Sequence, residues 1–235
     1  MKYDKNMKVF LAVRHIDKSF HPDKNVSVPA LSDVSFLVEK GEFMVISGPS
    51  GSGKTTLLNI IGGLDSPDSG EVVLDGQQLT GLTERRMSRV RRDHIGFVFQ
   101  AYNLLPVLTA RENIEYVMRL QGTERKKCEE KSREIAEKLG IDTLLYKLPH
   151  QLSGGQQQRV AVARAVAAGP KLVLADEPTA NLDSKTAAAL IDMMQQLNRE
   201  EGVTIIFSSH DPMVIEKARR SVVLKDGKLV ADSAV

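Results

Sequence analysis

Between an apolar run, Glu42–Ser47, and an amphipathic run, Lys54–Ile61, the chain reads Gly48-Pro-Ser-Gly-Ser-Gly53-Lys54-Thr55. This is the pattern G-x-x-x-x-G-K-[ST] set between a strand and a helix, the context in which it carries meaning. Three glycines let the loop bend so that successive backbone N–H groups converge on one point. The helix start adds positive potential at the same place. A ligand that needs such a cradle is a phosphate. Gly48, Pro49, Ser50, Gly51, Ser52 and Gly53 form the loop, and Lys54 brings a mobile cation to β- and γ-phosphates. Thr55 offers a hydroxyl to Mg²⁺, and Thr56 follows on the helix. The pattern alone does not separate a kinase, a GTPase, a helicase or a transport ATPase. A guanine-reading Asn-Lys-x-Asp is missing from the chain.

The rest of the chain fits an α/β protein. Lys8–Val13 and Val34–Val38 read as strands with a polar connection over His21–Pro29. Glu71–Leu74 is a short strand ending in Asp75-Gly76, a hairpin signal. Thr109–Ala168 is helical in pattern, with Gly140 stopping the segment Thr123–Leu139. Lys171–Ala175 and Val203–Ser208 are apolar strands flanking the amphipathic Ser184–Asn198. Ser221–Leu224 and Lys228–Ala231 close around Asp226-Gly227. Apolar strands alternating with helices predict a parallel sheet, and the helix-only block predicts a helical subdomain inserted into it. The expected organisation is a single domain over 1–235, with the core at 1–100 and 165–235 and the helical part at 101–164.

Composition narrows the function. Lys and Arg number 32 against 30 Asp and Glu, a net charge of +2, too weak a field for non-specific nucleic-acid binding. Cys128 is the single cysteine, so no internal disulfide forms, which fits a reducing compartment such as the cytosol. No apolar run approaches the roughly 18 residues of a membrane span, and Val9–Val13 is too short for a signal-peptide core. Docking on a membrane protein stays open. Arg85, Arg86, Arg89, Arg91 and Arg92 crowd one segment; a solvated helix face accounts for them better than lipid headgroups do.

Two further motifs carry chemistry. Leu172-Val-Leu-Ala-Asp176-Glu177 is a buried strand ending in two acids. One carboxylate there can hold Mg²⁺, and the next can polarise an attacking water; solvated acids at a strand end are the plain alternative. Leu152-Ser153-Gly154-Gly155-Gln156 is a Ser-Gly-Gly turn opening a helix, a second anion site built on the same physics as the first. A chain with two separate anion sites raises the question of whose phosphate the second one holds.

On these residues the chain resembles the nucleotide-binding subunit of an ATP-binding cassette (ABC) transporter over essentially its whole length. Gly48–Thr55 matches the Walker A loop, Gln100 the Q-loop, Leu152–Gln156 the signature and Leu172–Asp176 the Walker B strand. Glu177 matches the catalytic glutamate, Asn181-Leu182-Asp183 the D-loop and His210 the switch histidine. The resemblance implies a P-loop NTPase (RecA-like) parallel-sheet core, an N-terminal antiparallel β subdomain and an inserted helical subdomain. It implies ATP and Mg²⁺, the ion on Thr55, Gln100 and Asp176. It also implies a head-to-tail homodimer in which Ser153 and Gly155 of one chain hold the γ-phosphate on the Walker A loop of the other. His210 then hydrogen-bonds the γ-phosphate, and Phe20 stacks on adenine, where the family more often has Tyr; Phe10 is a competing core aromatic.

Finer similarity, over Phe97–Pro106 and Asp176–Asp183, is to cassettes serving macrolide-export and lipoprotein-release permeases. Ala180 stands where those usually have Gly. This implies a bacterial protein on the cytoplasmic side of the inner membrane. After Gln100, the residues Ala101, Tyr102, Leu104, Leu105 and Pro106 are more apolar than a solvated loop needs, which suits a permease helix docking near Gln100–Pro106; the plain alternative is that Leu104 and Leu105 only pin the loop onto the helical subdomain. Two alternatives stay open: a soluble ABC ATPase acting on DNA or ribosomes, and a binding module with a dead site. The short interval from Lys54 to Asp176, the single cassette, and the presence of Lys54, Asp176, Glu177 and His210 count against them.

Overall fold

A computed structural model describes residues 9–23 and 26–233. Strands β1 (Val9–Asp23) and β2 (Val26–Glu39) form a long antiparallel hairpin. β4 (Ser69–Leu74) joins the free edge of β1, and β5 (Gln77–Gln78) joins β4. Lys8, Lys24 and Asn25, which fall in the expected strand and connection, lie outside the described residues. The expected polar connection over His21–Pro29 is corrected: pairing continues through Ser19 opposite Pro29, Phe20 opposite Val28 and Asp23 opposite Val26. Pro29 is tolerated because β2 is an edge strand, where a missing N–H need not break the ladder.

The second sheet runs β10-β9-β3-β8-β7-β6. β3 (Phe43–Ser47), β6 (Ile95–Val98), β7 (Leu172–Ala175), β8 (Thr204–Ser209) and β9 (Arg220–Lys225) pair in parallel. The edge strand β10 (Lys228–Asp232) is antiparallel to β9, so the sheet is parallel in its core and mixed at one edge. The β9–β10 turn uses Asp226 at φ 48° and Gly227 at φ 74°, the backbone that an Asp-Gly hairpin pair favours. Every residue of β3, β7 and β8 is buried, as expected of strands covered on both faces. The two faces alternate along β3: Phe43 and Val45 join one core with the helical segment, while Met44 and Ile46 join another with β1, β2 and β4.

The helices are α1 (Lys54–Ile61), α2 (Glu84–His94), α3 (Ala110–Leu120), α4 (Arg125–Lys138), α5 (Gly154–Ala167), α6 (Ser184–Glu201) and the short α7 (Pro212–Ile215). Helix α2 buries Met87 and Val90 and leaves Arg85, Arg86 and Arg89 exposed, the solvated face expected of the arginine cluster. The helical block is less continuous than its pattern suggests. Gly140 ends α4, and two 3₁₀ turns at Asp142–Leu144 and Pro149–Gln151 lead into α5. Cys128 is fully buried in the α3–α4–α5 core. Beside it, the buried Glu115 accepts from Arg119 Nη2 at 2.6 Å and from Ser132 Oγ at 3.2 Å, which ties α3 to α4.

A second buried ionic cluster holds the sheet edge to the hairpin. Arg220 on β9 is 5% exposed and donates to both carboxylate oxygens of Asp232, to Glu42 and to the Leu37 carbonyl on β2. These acceptors hold the guanidinium charged, well above the ordinary arginine range, against the opposing cost of its burial. Arg220→Leu leaves Asp232 buried and unpaired, so urea unfolding should show a loss of about 3 kcal/mol; an unchanged midpoint would mean the cluster contributes nothing.

Candidate active site

The parallel strands end on one side of the sheet, and the predicted Walker A, Walker B and His210 residues gather there, as in open α/β sheets generally. β3 delivers Gly48–Gly53, β7 delivers Asp176 and Glu177, and β8 delivers Ser208 and then His210. A cavity of about 320 Å³ is lined by Ser50, Gly51, Gly53, Lys54, Thr55, Thr56, Gln100, Glu177, His210, Ala30 and Ala180.

Loop geometry explains the glycines. Gly48 has φ 144°, and a Cβ there would lie 2.1 Å from the Leu224 carbonyl oxygen. Gly53 has φ 101°, and a Cβ would meet the Ala30 carbonyl at 2.6 Å. The loop is thus seated between β9 and β2, where no side chain fits. Gly53 is also the N-cap of α1, which has no side-chain cap and no acidic residue in its first turn; its positive end stays uncompensated and ready for an anion.

Lys54 differs from the mobile cation of the sequence reading. It is 6% exposed, and its Nζ donates to the carbonyls of Gly48 at 2.8 Å and Pro49 at 3.0 Å, with Glu177 Oε1 at 3.6 Å. Asp176 is a meeting point: its Oδ1 accepts from Thr55 Oγ1 at 3.1 Å and from Ser208 Oγ at 2.7 Å. Ser208 Oγ also accepts from the Glu177 N–H at 2.8 Å. His210 Nδ1 lies 3.0 Å from Glu177 Oε1 and 3.1 Å from Oε2. A carboxylate only accepts, so Nδ1 carries the proton and donates.

Glu177 has φ 44°, an uncommon conformation for a residue with a side chain. Gln100 is exposed; its carbonyl accepts from Asn181 Nδ2 at 3.2 Å. Asp183 caps α6, accepting from the N–H groups of Lys185 and Thr186 and from the Thr186 hydroxyl. The hydroxyl and backbone donors keep its carboxyl below the usual range. Phe20 is 44% exposed on β1 with Lys18 Nζ 5.3 Å from its ring centre, whereas Phe10 is 3% exposed. Phe10 is therefore the core aromatic and Phe20 the available ring, although Phe20 is not among the residues lining the cavity.

The signature turn stands apart, and none of Leu152–Gln156 lines the cavity. Leu152 is buried, and Ser153 caps α5 in a reciprocal box with Gln156: Ser153 Oγ accepts from Gln156 N, and Gln156 Oε1 accepts from Ser153 N at 2.9 Å. That leaves the Ser153 hydroxyl proton and the first-turn N–H groups for an anion. Gly154 and Gly155 leave the turn close to its neighbours: added Cβ atoms would stand 2.9 Å from the Tyr102 hydroxyl and 3.1 Å from Thr186 Cγ2, side-chain atoms that would have to shift. The signature turn and the Lys54–Glu177–His210 cavity are therefore separate within one chain.

The family described as "ABC transporter" matches residues 31–180. The chain belongs to that family. ABC transporter ATP-binding protein YxdL of Bacillus subtilis is 47% identical over 93% of this chain and 84% of its own length. Macrolide export ATP-binding/permease protein MacB of Campylobacter jejuni is 44% identical over 89% of this chain, which spans only 33% of that longer protein. The solved dimer of cassette MJ0796 of Methanocaldococcus jannaschii, in a post-hydrolysis state bound to ADP and Pi, superposes with a TM-score of 0.88 at 38% identity, over 95% of this chain and 98% of that one. The fold is that of an ABC ATPase, and the protein is an ATPase.

For this ABC ATPase, Ser208 is the residue that sequence reasoning missed. Its hydroxyl joins Asp176 to the backbone of Glu177. A serine at a strand end has no pattern that announces such a role; its only signal is position, on the run that leads to His210. Ser208→Ala leaves the Glu177 N–H without its acceptor. Turnover should fall roughly tenfold while fluorescent-nucleotide binding persists; unchanged turnover would show that the bridge is dispensable.

Proposed function

We propose that the chain is the ATP-binding and ATP-hydrolysing subunit of a bacterial ABC transporter, pairing head to tail with a second copy around two Mg-ATP. The observation that carries this reading is the separation of the signature turn from the Lys54–Glu177–His210 cavity within one chain. Two copies antiparallel to each other would give each cavity the turn it lacks. MJ0796, similar in fold, has been solved as a dimeric ABC transporter cassette.

In this reading the Walker A backbone and Lys54 hold the β- and γ-phosphates. The signature residues Ser153, Gly154 and Gly155 of the partner close over the γ-phosphate, with Leu152 and Gln156 fixing the turn. Asn181, Leu182 and Asp183 lie at the seam, and Phe20 stacks on adenine. Glu177 takes a proton from the attacking water; His210, with both ring nitrogens protonated, would donate from Nδ1 to that carboxylate and from Nε2 to the γ-phosphate. The hard oxygen donors of Thr55, Asp176 and Gln100 suit Mg²⁺, which is ordinarily held by one or two carboxylates together with the substrate phosphates. The ion supplies charge neutralisation to the transferring phosphoryl group.

The permease side of the reading rests on a second cavity, of about 360 Å³, lined mainly by apolar side chains including Phe97, Phe99, Leu105, Tyr116, Val117 and Leu120. It opens beside Gln100–Pro106. Asn113 pins that loop by accepting from Leu105 N and donating to the carbonyls of Leu105, Leu108 and Thr109. Leu104 packs on the core, whereas Leu105 faces the cavity, so the two leucines divide between anchoring and docking. A short cytoplasmic helix of a permease fits such a groove. The similarity to MacB supports a macrolide-export type of partner; a lipoprotein-release type is the other partner this reading allows, and either gives a peripheral position on the cytoplasmic side of the inner membrane. No helix among the described residues is long and apolar enough to cross a membrane.

Glu177→Gln keeps shape and loses the base. Hydrolysis should fall by roughly 10²–10⁴-fold, and size-exclusion chromatography with Mg-ATP should give a dimer; a monomer alone would contradict the sandwich. Leu105→Glu should leave nucleotide binding intact and abolish co-purification of the permease from membranes. Normal capture of the permease by that variant would move the docking surface elsewhere.

A further inference from the structure

Glu177 sits in a left-handed backbone conformation, φ 44°, and something must hold it there. On its N-terminal side its own N–H is fixed by Ser208 Oγ at 2.8 Å. On its C-terminal side the next carbonyl, that of Pro178, accepts from Gln158 Nε2 at 2.7 Å. Gln158 belongs to α5, the helix that starts at the signature turn. Four residues separate it from Gly154, so the two lie on the same helix face.

The environment of Gln158 is unusual for a packing residue. Its side chain is completely buried, and its Oε1 has no hydrogen-bond partner among the described residues. A buried amide with one of its two ends unsatisfied is a poor way to fill a core, because an apolar side chain of similar length would avoid the desolvation cost. What the amide gains is one short bond, and that bond lands on the carbonyl of Pro178, the residue after the proposed general base.

We propose that Gln158 is a positioning residue for hydrolysis: through the Pro178 carbonyl it locks the strained turn that aims the Glu177 carboxylate at the attacking water. This rests on the reading of Glu177 as the base. Without the amide the C-terminal side of the turn keeps the Ala180 N–H bond to the Glu177 carbonyl, at 3.2 Å, and loses its short side-chain anchor. A relaxed φ at Glu177 carries its carboxylate away from Lys54 and His210, which now lie 3.6 and 3.0 Å from it. Because Gln158 and the signature turn share one helix, the same bond links the turn that meets the partner's nucleotide to the chain's own base.

The test is a double-mutant cycle on the full chain. Gln158→Leu removes the amide at nearly constant volume. Its kcat should fall roughly ten- to a hundredfold, with the KM for ATP within about twofold of wild type. In a Glu177→Gln background, where no base remains to be aimed, the same substitution should change the residual single-turnover rate by less than about threefold, as for residues acting as a unit. Gln158→Met, apolar and unbranched like the glutamine it replaces, should repeat the result. Wild-type kcat in Gln158→Leu, or an equal fold-loss in both backgrounds, overturns the proposal. Failure of both variants to fold also overturns it, in favour of a packing role. Wild-type turnover in Glu177→Gln alone would remove the base itself, a failure that the single-variant arm reports separately.

Discussion

One carboxylate oxygen organises the site. Asp176 Oδ1 accepts from Thr55 at the start of α1 and from Ser208 at the end of β8, while Asp176 itself ends the strand next to β8 in the sheet. The ends of three neighbouring strands, β3, β8 and β7, are thereby tied through hydroxyls to a single acid. The parallel order makes this possible, since only parallel strands bring all their C-terminal ends to one edge. The close seating of Gly48 and Gly53 against the carbonyls of Leu224 and Ala30 then fixes the phosphate loop relative to that edge. Movement of any one of these elements would displace the others.

The same economy leaves the site incomplete. Everything that one chain gathers at the strand ends is on the side of Lys54 and Glu177, while the helix start at Ser153 offers hydrogen-bond donors elsewhere. In the proposed reading the missing part comes from a second copy, so hydrolysis is a property of the pair. Intramolecular threads nonetheless run between the two regions. Gln158 bonds Pro178, Asn181 bonds the Gln100 carbonyl, and Arg164 donates to the carbonyls of Tyr102 and Asn103. Tyr102 and Asn103 both have positive φ, so Arg164 braces a strained turn beside the apolar groove much as Gln158 braces the turn at Glu177.

Much of this was legible in the sequence, for reasons that differ by element. The buried strands β3 and β7, and the Ile205–Phe207 centre of β8, appear as apolar runs because both faces of the sheet are covered, and α1 follows its loop without ambiguity. The outer part of the β1–β2 hairpin was not legible, because its exposed edge permits Pro29 and polar residues within a paired strand. Helix α7 is a single turn and leaves no periodicity to detect. Leu104 and Leu105 are the same residue type, and only the fold assigns one to the core and the other to the groove. Motif residues were readable as chemistry but not as contacts: Lys54 turned out buried on its own loop carbonyls, and Asp183 serves as the cap of α6.

In the proposed reading each active site takes its parts from two chains. This sharing is tested most directly by the specific rate of ATP hydrolysis as the purified protein is diluted, with its oligomeric state followed in parallel by sedimentation. The account predicts that the rate per chain falls in proportion to protein concentration once the dimer dissociates. A rate per chain that stays constant down to concentrations where only monomer sediments would contradict it.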